Sequence, residues 1–517
     1  MGDGLSTADW CVVGIYLGIV AIIGFYASGK QKSTKDYFLG GKSLPWWAAA
    51  LSIIATETSA VTYIGVPRMA YQGDWAFAQL VIGFVLGRIF LALFFVQVFY
   101  RHDFVTVYGF LEQRFGGATR TVAAILFLLG RVVASAVRLY AGCVALKVAT
   151  GFGIDRAIIA LGAFGTIYTL TGGIRAVIWT DVLLGLTFMA GGIVSCVYLA
   201  SAVPGGLEGL IRNPLFIEKT TVIHLGWSLS SPETLLAGIA GGFVLTLATH
   251  GTDQDIAQRM LTCRDAKGGS LSVLGSAVLI LPLMGLFLLV GTLLFFFYQT
   301  RDVPYALPAN LDHIFPLFIV KELPLGFRGL VMAGLLAVSI ASFTSVLNAL
   351  ASTTIGDFYS PARKRLGAEP SDRHMVRASR VVTLFWGAAL VGLAMAFEGS
   401  SENLLTIALQ VLTYFYGALL GAFLLGIFTR RGSSLSVITG MVLSVPAVLL
   451  LQLRHYVADP ATAPQAIRTL LGADSLRPFL DLVERHVPVV AWPYWIIIGT
   501  AITFLVGILG TRGIIAR

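Results

Sequence analysis

Charge is scarce in this chain of 517 residues. Only 12% are Asp, Glu, Lys or Arg, while 56% are hydrophobic. A soluble protein carries about 25% charged residues, so soluble globular and disordered classes are excluded. Cysteine is nearly absent. Cys11, Cys143, Cys196 and Cys263 show no spacing of a metal site or a disulfide framework, and read as small buried hydrophobes. No Asn-x-Ser/Thr sequon occurs. No basic run opens the chain, which starts instead with Asp3 and Asp9, so a cleaved signal peptide is not expected. Strict apolar–polar alternation is missing, which argues against a β-barrel. No stretch suits a soluble domain, and the short tail after Gly510 leaves no attached kinase or nucleotide-binding domain expected.

What is present is hydrophobic length. Mean hydropathy is +0.83, and runs of about 20 apolar residues, enough to cross a bilayer, recur throughout. The pattern predicts an all-α polytopic membrane protein of about thirteen spans: 9–27, 45–66, 75–99, 121–148, 154–172, 175–201, 233–250, 270–298, 327–356, 378–397, 402–427, 434–452 and 492–511. With the N-terminus outside, one side collects twenty-one basic loop residues, among them Lys30, Lys32, Arg259, Arg264, Arg512 and Arg517. The other collects eight. Lys/Arg bias marks the cytoplasmic side, so the C-terminus is expected inside. The net charge of +9 then belongs to loops and implies no nucleic-acid partner. The missing sequon favours a bacterial inner membrane.

Ionisable groups inside a membrane usually face a cavity or a partner. The candidates are Glu57, Arg88, Arg131, Arg138 and Asp181. Glu57 sits in "SIIATETSAVTYIG" (52–65) with Thr56, Thr58, Ser59 and Thr62. These hydroxyl-bearing side chains compete for backbone hydrogen bonds and weaken a helix. A break there frees carbonyls, which are tolerated at membrane depth only where they line a protein cavity. Carbonyls plus hydroxyls suit a hard cation such as Na+. The competing reading is an intact helix whose Glu57 pairs with an arginine. In "LLAVSIASFTSVLNALAST", Val338, Ala341, Ser342 and Ser345 share one helical face, which suits close helix packing or ion binding. Arg131 and Arg138 are seven residues apart and also share a face.

Five motifs, in order, resemble the sodium/solute symporter family: "DYFLGGKSLPWWAAALS", "AVIWTDVL", "TDQDIAQRML", "SIASFTSVLNALASTTIGDFY" and "LLGAFLLGIFTRR". The resemblance runs from about 36 to 431 and implies a LeuT-like core of two inverted five-helix repeats. The expected organisation is 1–44, an outer N-terminus, an extra helix and an inner loop; 45–201, the first repeat; 202–232, an outer loop; 233–431, the second repeat; and 432–517, two further helices with a long outer loop. It also implies a Na+ site built from carbonyls at Ala55, Thr58 and Val338 and hydroxyl positions at Ala341 and Ser342. Ala341 departs from the family's usual Ser. Some members hold a second Na+, which would fall on Asp181, Thr344 and Ser345, so one or two ions are expected.

For substrate, the resemblance points to Glu57, Ser59 and Thr62, with Phe77 and Gln79, a region near Phe243 and Thr246, and Gln410 and Tyr414. The position of the galactose symporter's lysine falls near Val278, which argues against a close sugar match. Sialic acid symporters bind a carboxylate through an arginine whose position falls near Ala134, between Arg131 and Arg138. The expectation is Na+-coupled uptake of a small polar organic solute, a carboxylate or zwitterion of sialic-acid-like or amino-acid-like kind, by a protein that works as a monomer in the bilayer. The alternatives are proton coupling through Glu57 or Asp181 with a neutral solute and, more distantly, an intramembrane enzyme.

Overall fold

The computed structural model describes residues 5–28, 34–101, 104, 106–367, 371–397, 404–460, 463 and 465–510. Lys30, Lys32, Arg512 and Arg517, used above for orientation, lie outside them. The described residues are helical apart from loops and one isolated bridge, Leu44 to Cys263.

Helix α1, Thr7–Ser28, precedes the core. Next come α2, Trp46–Glu57, and α3, Ala60–Gln72, bent by 64° across Thr58 and Ser59. Then follow α4, Phe77–Arg101; α5, Gly117–Thr150; and α6, Ile154–Ala202. A second bent pair is α7, Leu235–Gly251, and α8, Gln254–Leu261, at 65°. The chain continues with α9, Ala266–Thr300; α10, Phe327–Thr353; α11, Asp372–Met395; α12, Leu404–Phe428; α13, Ser434–Ala458; and α14, Trp492–Leu509.

Among the described residues ten helices are long and apolar enough to cross a membrane, and twelve if each bent pair is one span. The thirteenth expected span, 154–172, is the first part of α6, which breaks at Gly173, where φ is +58°. That backbone conformation favours glycine.

The first break has a local cause. The Thr58 amide and hydroxyl both donate to the Ile54 carbonyl, at 2.8 and 2.5 Å. Thr58 and Ser59 then turn extended, with ψ of 96° and 178°. In the second break Asp253 caps α8, its Oδ1 accepting the Asp255 amide at 2.8 Å. Helix α10 is buried along nearly its whole length. Small residues (Gly329, Ala333, Gly334, Ala337, Ser339, Ala341) let neighbours approach it closely. It packs against α2, α3, α5 and α6, both halves of the first break among them.

Candidate substrate and ion site

A cavity of about 70 Å3 opens where the two breaks meet. The first break contributes Glu57, Ser59, Val61 and Thr62, and α4 contributes Phe77 and Phe84. Arg131 and Arg138 reach it from α5, and Leu245, Thr249, His250 and Ile256 from the second break region. Met284 of α9 and Leu405, Ala408, Leu409 and Leu412 of α12 complete the lining. Six expected substrate residues therefore converge: Glu57, Ser59, Thr62, Phe77, Arg131 and Arg138.

Four expected substrate residues point elsewhere. Gln79 is buried, donates to the Glu233 carbonyl at 2.8 Å and accepts from the His224 amide at 3.2 Å. Phe243 meets Phe90 edge to face, 5.7 Å between ring centres. The Tyr414 hydroxyl donates to Gln452 at 2.5 Å, and Gln452 donates to Gln410 at 3.4 Å. The reason is helical phase. Leu405, Ala408, Leu409 and Leu412 follow i, i+3, i+4, i+7 and face the cavity, which turns Gln410 and Tyr414 toward α13. Thr246 is likewise outside the lining, since α7 presents Leu245 and Thr249 instead.

The charges are unequally shared. Glu57 is paired with Arg88, which also donates to the Ser276 carbonyl at 2.7 Å. Arg131 donates to Asp253 Oδ2 at 2.8 Å and pairs with Asp255, and the Tyr416 hydroxyl holds Asp253 as well. Arg138 differs. Its one hydrogen bond among the described residues goes to the Thr56 carbonyl at 3.2 Å, with no ion pair. That carbonyl belongs to the last turn of α2, where carbonyls lack intrahelical partners. The cavity thus holds one arginine without a carboxylate.

At the expected Na+ position, Ser342 is buried and its Oγ has no hydrogen-bond partner among the described residues. An orphaned buried hydroxyl beside a broken helix fits a cation ligand. Val338 and Ala341 lie on the same face of α10, and Ala55 and Thr58 flank the break. The second expected set is differently engaged. Asp181 Oδ2 accepts from Ser52 Oγ at 2.5 Å and from the Arg259 guanidinium at 3.1 Å. Ser345 Oγ accepts from the same guanidinium at 2.7 Å and donates to Asp255. Thr344 Oγ1 donates to the Ala341 carbonyl at 3.1 Å. Arg259 thus supplies the positive charge among these groups. Among the described residues Asp181 Oδ1 has no partner and Thr344 Oγ1 keeps its lone pairs, but the Arg259 guanidinium lies against both Asp181 and Ser345, where a second cation would meet its charge. In this arrangement Arg259 occupies the charge position that a second Na+ on Asp181, Thr344 and Ser345 would take.

Arg259 also corrects the loop count. It is buried in α8 at 1% exposure, so it is no cytoplasmic loop residue. Asp253, Asp255 and His250 were likewise missed as site residues. A signal existed: "TDQDIAQR" packs three acidic or basic groups onto one short segment directly after an apolar run.

Three comparisons bear on this geometry. The model of the Sodium:solute symporter family matches residues 37–443. A sodium/sialic acid symporter of Proteus mirabilis is 30% identical over 85% of this chain and 88% of its own. Sodium-coupled monocarboxylate transporter 1 of Xenopus laevis is 29% identical over 84% of this chain and 70% of its own. A solved, substrate-bound outward-open Na+-coupled sialic acid symporter superposes with a TM-score of 0.81 at 25% identity, over 98% of this chain and 97% of that one.

Proposed function

This chain belongs to the sodium:solute symporter family, and from that premise we propose that the solute it carries is an organic monocarboxylate. It is a membrane-embedded Na+-coupled symporter of LeuT-like fold, not an enzyme. The observation that carries the substrate class is how the cavity's arginines are paired. Glu57 pairs with Arg88, and Arg131 with Asp253 and Asp255, while Arg138 has, among the described residues, only a backbone carbonyl in direct contact. A guanidinium with no carboxylate in direct contact suits one carboxylate of a solute, which it can hold bidentately. Two relatives' names, sialic acid and monocarboxylate, both describe monoanionic acids, which supports the reading.

Na+ would bind at the carbonyls of Ala55, Thr58 and Val338, the Ala341 position and the Ser342 hydroxyl. Ala341 brings no side-chain oxygen. Thr58 Oγ1, whose proton goes to the Ile54 carbonyl, has lone pairs free to substitute. Broken helices offer such ion sites in secondary transporters. We assign the two repeats to 45–201 and 233–431, flanked by 1–44, 202–232 and 432–517. The N-terminus lies outside and the C-terminus inside a bacterial plasma membrane, and a single chain suffices. With Arg259 removed from the count, twenty basic loop residues still face eight.

The test is a panel of acids, their amides and neutral sugars in proteoliposomes under an inward Na+ gradient. Uptake should be confined to monoacids and collapse when K+ replaces Na+. Equal uptake of an acid and its amide would overturn the carboxylate assignment.

A further inference from the structure

Beyond the carboxylate, and resting on the reading that Arg138 holds it, we propose that His250 selects acids carrying a hydroxyl group on the body of the molecule. His250 is 2% exposed and lines the cavity. Its tautomer follows from its neighbour. Thr249 Oγ1 donates its only proton to the Leu245 carbonyl at 2.9 Å, the usual bond of a helical threonine to the preceding turn. At the 3.1 Å contact between Thr249 Oγ1 and His250 Nδ1, the hydroxyl must therefore accept and the imidazole donate. A neutral ring with its proton on Nδ1 leaves Nε2 as a bare acceptor.

That acceptor has no hydrogen-bond partner among the described residues. Glu57 Oε2 lies 3.7 Å from it. Glu57 is paired with Arg88 and so is held as an acceptor as well. Two acceptors lie together at the wall of the cavity, Nε2 itself buried in this arrangement, and a donor from the solute would satisfy it. A hydroxyl supplies it, and a ketone or methylene does not. A site built to hydrogen-bond a solute hydroxyl rejects analogues that lack it, because its own polar group is then stranded. A cavity of about 70 Å3 holds about five to seven waters at the 10–15 Å3 each requires, so small acids enter it readily and serve as probes.

Lactate, pyruvate and propionate are near-isosteric and differ at one position, so they are the probes. Na+-driven uptake of each is measured in proteoliposomes of wild type, His250→Leu and His250→Gln. Wild type should favour lactate over both others by about tenfold or more in kcat/KM, the scale of one satisfied buried hydrogen bond. In His250→Leu the three acids should converge to within about threefold, through loss of lactate rather than gain of the rest. His250→Gln, which offers an amide oxygen as acceptor, should keep part of the preference. Thermal unfolding verifies that each variant folds, and wild-type discrimination needs no variant at all. Equal wild-type handling of lactate and propionate overturns the proposal. So does a lactate preference that survives in folded His250→Leu. Either result leaves the carboxylate reading standing, since that depends on acid against amide. Transport of none of the three acids overturns the proposal. Transport of no acid at all would overturn both readings.

Discussion

Arg131 and Arg138 share one face of α5, and replacing each by methionine should produce opposite kinds of failure. Arg131 holds two buried aspartates, Asp253 and Asp255. Removing one partner of a buried ion pair costs about 3–5 kcal/mol, so Arg131→Met should lower the unfolding temperature by several degrees or prevent folding. Arg138 gives the folded protein one bond to a carbonyl, worth about 1 kcal/mol, so Arg138→Met should fold with a small loss. Its transport should suffer far more. Two charge-assisted hydrogen bonds to a carboxylate are worth about 1.5–3 kcal/mol each. KM for the best acid of the panel should therefore rise by about 100-fold or more. Arg138→Lys keeps the charge but loses the fork, and should fall between. The assays are Na+-driven uptake and thermal unfolding of the purified protein, side by side. Arg138→Met with a KM within twofold of wild type would refute the assignment. So would an Arg131→Met protein as stable as wild type.

Ser342→Ala should raise the Na+ concentration for half-maximal uptake severalfold, and Ala341→Ser should lower it or leave it unchanged; a Na+ dependence unaltered in Ser342→Ala would remove that residue from the ion site. Because Arg259 stands among Asp181 and Ser345, flux measurements should give one Na+ per solute, and Asp181→Asn should lower the unfolding temperature while leaving that ratio intact. A wild-type ratio of two would refute the arrangement. Outside the spans, the buried Lys219 ammonium donates to the carbonyls of Tyr71 and Gly73 at 2.9 and 2.8 Å, closing the end of α3, and burial lowers its pKa from the usual lysine value. Lys219→Met should cost about 1.5–3 kcal/mol, the scale of a hydrogen bond to a charged group, read as a lower unfolding temperature with the Na+ dependence of uptake unchanged.

The first break was legible because its signal is local. Hydroxyls and a carboxylate interrupt an apolar run, and the bonds that stop α2 at Thr58 lie within four residues. The second break was hidden by its charges. Asp253, Asp255 and Arg259 look like loop residues until Arg131, on a helix more than a hundred residues earlier, is seen to pair with two of them. Spacing put Arg131 and Arg138 on one face and could go no further, since what separates them is the partner each finds in space. Gln410 and Tyr414 failed for a related reason. Periodicity gives the faces of α12 but not which one meets the cavity, and an apolar stripe that lines a substrate path reads in sequence like core.

Arg138 connects the two halves of the proposed function. It donates to the carbonyl of Thr56, at the same helix end whose Ala55 and Thr58 carbonyls are offered to Na+. A helix C-terminus carries partial negative charge and attracts one cation readily, but two cations there repel. Unit charges about 6 Å apart at an effective dielectric of about 20 repel by about 3 kcal/mol. An acid anion on Arg138 cancels that opposition, so bound solute should raise Na+ affinity, and by reciprocity Na+ should raise affinity for the acid by the same factor. A neutral solute would leave the repulsion in place, which ties the choice of a monoanion to the coupling itself. The check is Na+ affinity of the purified protein with and without a saturating transported acid. An increase of about 10- to 100-fold is expected from 1.4–3 kcal/mol of coupling, and it should vanish in Arg138→Met. Na+ binding indifferent to the acid would show that ion and solute are linked by some route other than Arg138.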